Sequence, residues 1–145
     1  MSAAIHARRP DLSPPLRGEP VTFERGLVGF PEWRHFLVGP APAGEAAGLF
    51  MLQCLDPDGP VLLAIDPRRL RPDYQVKLSA SDLRALQLES AQDALVLCTL
   101  TVREGGLVTA NLLGPLVINP RARLGRQVVI GSSTFSARFR VGEVG

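Results

Sequence analysis

The chain has 145 residues, 46% of them hydrophobic and 21% charged, with 16 basic against 14 acidic side chains for a net charge of +2. That length can bury one core without disulfides or metal, and the charge balance is too even to imply nucleic acid. No apolar run approaches the roughly 20 residues needed to cross a bilayer, and no apolar h-region of a secretory signal opens the chain, so a cytoplasmic location is the default expectation.

Residues 1–20 carry Pro10, Pro14, Pro15 and Pro20 among Arg8, Arg9 and Arg17. Such a segment lacks the apolar side chains that would offset the entropy of ordering. It is expected to be a flexible tail, with residues 21–145 as the single folded domain. Val21-Thr-Phe23 can open that domain as a strand. In the following stretch Gly26 and Gly29 suit turns, and Pro31 suits the first position of a short helical turn. Phe30, Trp33 and Phe36 recur at i, i+3 and i+6, a spacing that predicts an aromatic plug in the core.

Leu37-Val38 continues as strand, and residues 40–48 form a loop of small side chains. Leu49-Phe-Met-Leu-Gln-Cys-Leu55 is the next strand, stopped by the turn formers of Asp56-Pro-Asp-Gly-Pro60. Val61-Leu-Leu-Ala-Ile65 is apolar on both faces, the pattern of a strand covered from both sides. An arginine-rich loop over 68–74 leads to the short strand Gln75-Val-Lys-Leu78. Residues 79–88 are the best helix candidate, with Ser79 or Ser81 as cap, Asp82 in the first turn and Leu83 and Leu86 facing inward.

The longest strand-forming block follows. Over 94–102, Val96, Cys98, Leu100 and Val102 share one face. Leu95, Leu97, Thr99 and Thr101 share the other, which turns polar halfway, as where a strand leaves the core for water. Gly105-Gly106 permits the positive φ of a tight hairpin. Residues 107–111, 112–119 and 127–130 are further strands. Over 135–141, Phe135, Ala137, Phe139 and Val141 alternate with Ser136, Arg138 and Arg140, predicting a last strand with one buried face. Eight to ten short strands with one or two short helices predict an all-β domain, a small antiparallel β-barrel-like fold or a sandwich.

Parts for catalysis are missing from this pattern. The histidines are His6 and His35, without i, i+4 partners, and no Cys-x-x-Cys occurs, so neither metal nor cofactor is expected. Cys54 and Cys98 lie in apolar strand patterns and are expected as buried, reduced thiols. There is no Gly-x-Ser-x-Gly elbow and no glycine-rich phosphate loop, and most aspartates sit among turn formers. RNA binding needs exposed aromatics interleaved with basic residues, whereas the aromatics here alternate inward. What remains is protein binding through a sheet edge or an exposed apolar patch, or a generic ligand-binding barrel.

Several motifs point further. Phe23-Glu-Arg-Gly-Leu-Val-Gly-Phe30, Met51-Leu-Gln-Cys54, Ile65-Asp-Pro67, Pro72-Asp-Tyr74, Ala110-Asn-Leu-Leu-Gly-Pro-Leu-Val-Ile-Asn119 and Gln127-Val-Val-Ile130 resemble the flagellar assembly factor family, FliW, in order from about residue 21 to 141. The resemblance implies a cytoplasmic β-barrel-like protein without catalysis. Such a protein would bind newly made flagellin before export and antagonise the translational regulator CsrA by direct protein contact. It implies no direct nucleic-acid or membrane contact, and nothing in the chain demands an oligomer. Gly114 stands where alanine is common in that family, Phe135 where tyrosine is common, and Arg138-Phe139 where Arg-His is expected. The partner surface expected from motif and chemistry together is Asn111, Leu112, Leu113, Pro115 and Asn119, with Asp66, Pro67 and Tyr74 nearby. Gly114 and Pro115 break a β-prone run, as where a strand bends or an edge is exposed; a barrel-closing corner is the alternative role for the same motif.

Overall fold

The computed structural model describes residues 2–6, 18–42, 44, 47–131 and 135–143. In chain order the elements are β1 (Ser2–His6), β2 (Val21–Phe23), β3 (His35–Pro40), β4 (Leu49–Cys54), β5 (Val61–Ile65) and β6 (Gln75–Ser79). They continue with α1 (Ala80–Ala85), β7 (Leu95–Val102), β8 (Leu107–Ala110), β9 (Leu116–Asn119), β10 (Leu124–Gln127) and β11 (Phe139–Glu143). The main sheet runs β11-β8-β7-β5-β4-β3-β2-β10-β9, and β9 pairs back onto β7. That last pairing closes β7, β5, β4, β3, β2, β10 and β9 into a seven-stranded barrel, with β8 and β11 as a flap continuing from β7. The ladders are antiparallel except for the pairing of β10 with β2.

β7 holds this arrangement together because both its faces are apolar where the chain needs them. Leu95 and Leu97 enter the barrel interior with Val21, Phe23, Phe36, Val38, Phe50, Leu52, Ala64, Leu116 and Ile118. Val96 and Cys98 enter a second core on the outside of the barrel wall, with Tyr74, Val76, Leu78, Leu86, Ala110, Leu112 and Val117. Full burial of each large aliphatic side chain contributes about 1.5–3 kcal/mol. The expected polar turn of the strand is present: burial fades through Thr99 and Leu100 to exposed Thr101 and Val102. Gly105 and Gly106 then reverse the chain with φ of 79° and 84°.

β6, α1 and residues 86–94 cover the outer core. Ser79 caps α1 in a capping box: its hydroxyl accepts from the Asp82 N–H, and the Asp82 carboxylate accepts from the Ser79 N–H. The other carboxylate oxygen of Asp82 takes Arg126 Nη1 at 2.9 Å, tying the helix to β10. Both cysteines are free and buried.

Several sequence expectations are corrected. Ser2–His6, expected inside a flexible tail, pairs antiparallel with β6; residues 1 and 7–17 of that tail lie outside the described residues. The aromatic plug divides: Phe36 is fully buried and Trp33 packs partly on the barrel core, while Phe30 is exposed and stacks on Trp33 with centroids 4.0 Å apart. The cause is the tight turn at Val28-Gly29, closed by reciprocal backbone bonds between Leu27 and Phe30, which turns the ring outward. On its outer face β5 is covered only at its end, where Ile65 is buried. Ala64 points into the barrel, whereas Val61 and Leu63 lie exposed on its outer wall, since the second core reaches only as far as Leu100. The motif strand over 112–119 shortens to β9, the strand over 127–130 shifts back to β10, and the last strand begins at Phe139.

Candidate functional site

The chain after the hairpin runs antiparallel along β7 as β8, leaves the ladder over 111–115, and rejoins it as β9. Asn111 still bonds the ladder through its N–H to the Thr99 carbonyl. Its side chain then organises the excursion: Asn111 Oδ1 accepts from Leu113 N–H at 3.1 Å and Gly114 N–H at 3.0 Å. This is the Asx-type turn for which a short amide side chain is suited. Pro115 offers no N–H there, and its carbonyl takes Val128 N–H while the Leu113 carbonyl takes Ile130 N–H.

The loop is held from beneath by Tyr74. Its fully buried hydroxyl donates to the Leu112 carbonyl at 2.7 Å, while its ring packs on Phe135 at 4.7 Å. The Arg71 guanidinium lies over the other aromatic of that pair, 5.1 Å from the Phe135 centroid. Burial pushes the Tyr74 hydroxyl up from its ordinary pKa, so it stays a neutral donor. Burial likewise pushes Cys98, whose thiol faces the Tyr74 oxygen at 3.9 Å, up to about 12.

Gln127 binds the loop from the side. Its Nε2 donates to the Gly114 carbonyl at 2.9 Å and its Oε1 accepts from Val28 N–H at 2.8 Å. One amide therefore joins the 111–115 loop to the Val28-Gly29 turn. A methyl on Gly114 would meet Gln127 Nε2 at 2.8 Å, so the glycine here makes room for that bridge. The chain next to this bridge carries exposed apolar side chains: Val28 and Val129 are each 64% exposed and Phe30 is 45% exposed, and Leu113 is half-buried. The residue types alone gave no warning of Val28, Phe30 and Val129, although the Gly29 turn signal marked where the chain leaves the core.

The eight residues expected at a partner surface occupy two kinds of place. Asn111 and Leu113 are half-buried and reach the surface. Leu112, Pro115, Asn119, Asp66, Pro67 and Tyr74 are interior. Asn119 is a clamp: its Nδ2 donates to the carbonyls of Leu86 and Gln87, and its Oδ1 accepts from Arg121 and Ala122 N–H. Asp66 caps the turn at Pro67–Arg69 by accepting from Arg68 N–H, and burial raises its carboxyl above the usual range.

One constellation has the outline of a reactive centre. Cys54 Sγ lies 3.6 Å from Asp56 Oδ2, and Asp56 Oδ1 lies 2.9 Å from His35 Nδ1. The electrostatics run against a nucleophile. Burial and the Asp56 carboxylate raise the Cys54 thiol, whereas activation needs a cationic neighbour that lowers it. Asp56 is spent on the His35 ring and on the Arg34 and His35 N–H groups, which hold its pKa far below the ordinary carboxylate value. Its work is to fasten the start of β3 to the β4–β5 turn. Among the described residues no group of three or more His, Cys, Asp or Glu could hold a metal, and no helix is long and apolar enough to cross a membrane.

Fold and surface together define a small closed β-barrel, filled by side chains, that presents an Asx-braced loop with exposed apolar neighbours. The FliW protein family model matches residues 16–141, and the chain belongs to that family of flagellar assembly factors. It is 33% identical over 120 residues to the flagellar assembly factor FliW of Natranaerobius thermophilus, covering 81% of this chain and 78% of that one. To the flagellar assembly factor FliW of Treponema pallidum it is 34% identical over 122 residues, covering 83% and 79%. A crystal structure of the flagellar assembly factor FliW superposes with a TM-score of 0.75 at 30% identity, covering 86% of each chain.

Proposed function

We propose that this chain binds cytoplasmic flagellin as a chaperone-like partner and antagonises a CsrA-type translational regulator by direct protein contact, so that flagellin synthesis follows export. The observation that carries the reading is the 111–115 loop. It holds the most specific family motif and the half-buried Leu113, and Gln127 ties it to the turn that carries exposed Val28 and Phe30. Exposed apolar side chains on a folded barrel suit reversible protein contact. The mechanism is a partner switch without bond-making, in keeping with thiols raised by burial at both cysteines. The chain would work as a monomer whose free fraction reports how much flagellin awaits export.

The expected footprint is Asn111 and Leu113 at the surface. Leu112, Pro115, Asn119, Asp66, Pro67 and Tyr74 would shape it from within. Leu113→Glu places a charge in the apolar contact and should weaken partner binding about tenfold or more. Asn111→Ala frees the Leu113 and Gly114 N–H groups and should loosen the loop. Pull-downs of both variants with flagellin and with CsrA test the assignment, and undiminished binding of both partners by correctly folded variants would sink it.

A further inference from the structure

β6 stands apart from the barrel sheet. Its single strand neighbour among the described residues is β1, in an unbroken five-residue antiparallel register from Ser2↔Ser79 to His6↔Gln75. Val76 and Leu78 are fully buried in the outer core, while Gln75, Lys77 and Ser79 are exposed. The body of β6 lies inside the stretch matched by the family, 16–141; the strand that covers its edge lies wholly outside it. No proline interrupts residues 2–6 or 75–79, so nothing blocks the ladder.

We propose that the β6 edge is a strand-addition site, which Ser2–His6 occupies in cis and which an extended partner segment takes when β1 leaves. The register defines the class of segment. It must run antiparallel to β6 and carry small or aliphatic residues opposite Leu78 and Val76, where this chain has Ala3 and Ile5. Opposite Gln75, Lys77 and Ser79 it is tolerant, as His6, Ala4 and Ser2 are there. Main-chain hydrogen bonds supply the affinity and the alternate positions the selectivity. An emptied edge would leave the N–H and C=O groups of β6 unpaired beside a core, so exchange of one strand for another is favoured over vacancy. β6 begins one residue after Tyr74, whose hydroxyl holds Leu112. The strand that occupies the edge is thus coupled to the 111–115 loop through the outer core.

A strand tethered in cis competes at an effective concentration in the millimolar range. Disabling it should therefore raise the affinity for a free strand by about tenfold or more. The test is fluorescence anisotropy with a labelled peptide of residues 1–9, titrated with the full-length chain and with the full-length double variant Ala3→Pro/Ala4→Pro, which removes a ladder N–H whichever of the two faces β6, both first checked for folding by circular dichroism. Tighter binding by the double variant, by about tenfold, supports the proposal; a folded double variant that binds no more tightly than the native chain overturns it. Hydrogen exchange on the native chain decides the matter independently of that variant. β6 amides facing β1 should exchange by local opening, at least about a hundredfold faster than those of β7. Equal protection of the two strands would overturn the proposal. The probe is the chain's own sequence, so the outcome is separate from whether flagellin or CsrA binds.

Discussion

Asn119→Ala removes a buried clamp and leaves the loop motif otherwise intact. The native side chain donates to the Leu86 carbonyl at 2.8 Å and the Gln87 carbonyl at 3.1 Å, and accepts from Arg121 N–H at 3.0 Å and Ala122 N–H at 3.3 Å. At roughly 1 kcal/mol net for each bond, with the longest discounted, the loss is about 3 kcal/mol. A domain of this size shifts its Tm by about 2–4 °C per kcal/mol, so the midpoint should fall by about 6–12 °C. Urea unfolding followed by fluorescence of Trp33, the single tryptophan, which packs partly on the barrel core, measures the change directly. Asn119→Asp keeps the acceptor for Arg121 and Ala122 N–H but sets a carboxylate oxygen against two carbonyls, so it should lose at least as much at neutral pH. A loss below about 0.5 kcal/mol for Asn119→Ala, with an unchanged m-value, would refute the clamp.

Three further outcomes follow from named contacts. Tyr74→Phe leaves the Leu112 carbonyl without its buried donor and should cost about 1–3 kcal/mol in urea unfolding; a neutral result would remove Tyr74 as the support of the loop. Gly125→Ala forces a methyl against the fully buried Phe23 ring, whose nearest atom lies 2.5 Å from where that methyl would sit, and should destabilise by about 1–3 kcal/mol. Wild-type stability in that variant would mean the barrel interior is looser than described. Asp56, depressed in the fold by the His35 ring and two backbone N–H groups, stabilises the chain above its unfolded pKa of about 3.9, and that contribution fades as pH falls below about 4. Asp56→Asn should therefore flatten the acid limb of a stability–pH curve between about pH 4 and 2, and an unchanged limb would show that the His35 contact does not matter.

Much of this fold is legible in the chain because period-two alternation carries it. β7 is the clearest case: its two apolar faces fade where Thr99 and Thr101 begin, and the structure fills one face with the barrel and the other with the outer core. The capping of α1 by Ser79 and Asp82 is equally local and equally readable. The failures have a common cause, which is that closure is not local. Val61 and Leu63 carry the pattern of a strand covered on both faces, but which faces are covered depends on where the outer core stops. Phe30 shares its spacing with Phe36, yet a two-residue turn at Gly29 sends it outward. Conversely, Ser2–His6 has only Ile5 as a strong strand former, and its partner strand lies about 70 residues away in sequence, so its pairing is not a local signal. For the site, the Asn-Leu-Leu-Gly-Pro break was visible as a break. The roles of Asn119 as a clamp, Tyr74 as a support and Gln127 as a bridge needed side-chain positions that only the closed barrel supplies.

The most direct test of the account is a competition between partners on the intact chain. Isothermal titration of the purified protein with flagellin, followed by titration of the resulting complex with a CsrA-type regulator, reads both contacts on one preparation. A partner switch requires saturable binding of flagellin, saturable binding of the regulator to the free chain, and markedly weaker regulator binding to the flagellin-loaded chain. Absence of heat and of co-elution with either protein would contradict it, as would a regulator that binds free and loaded chain alike.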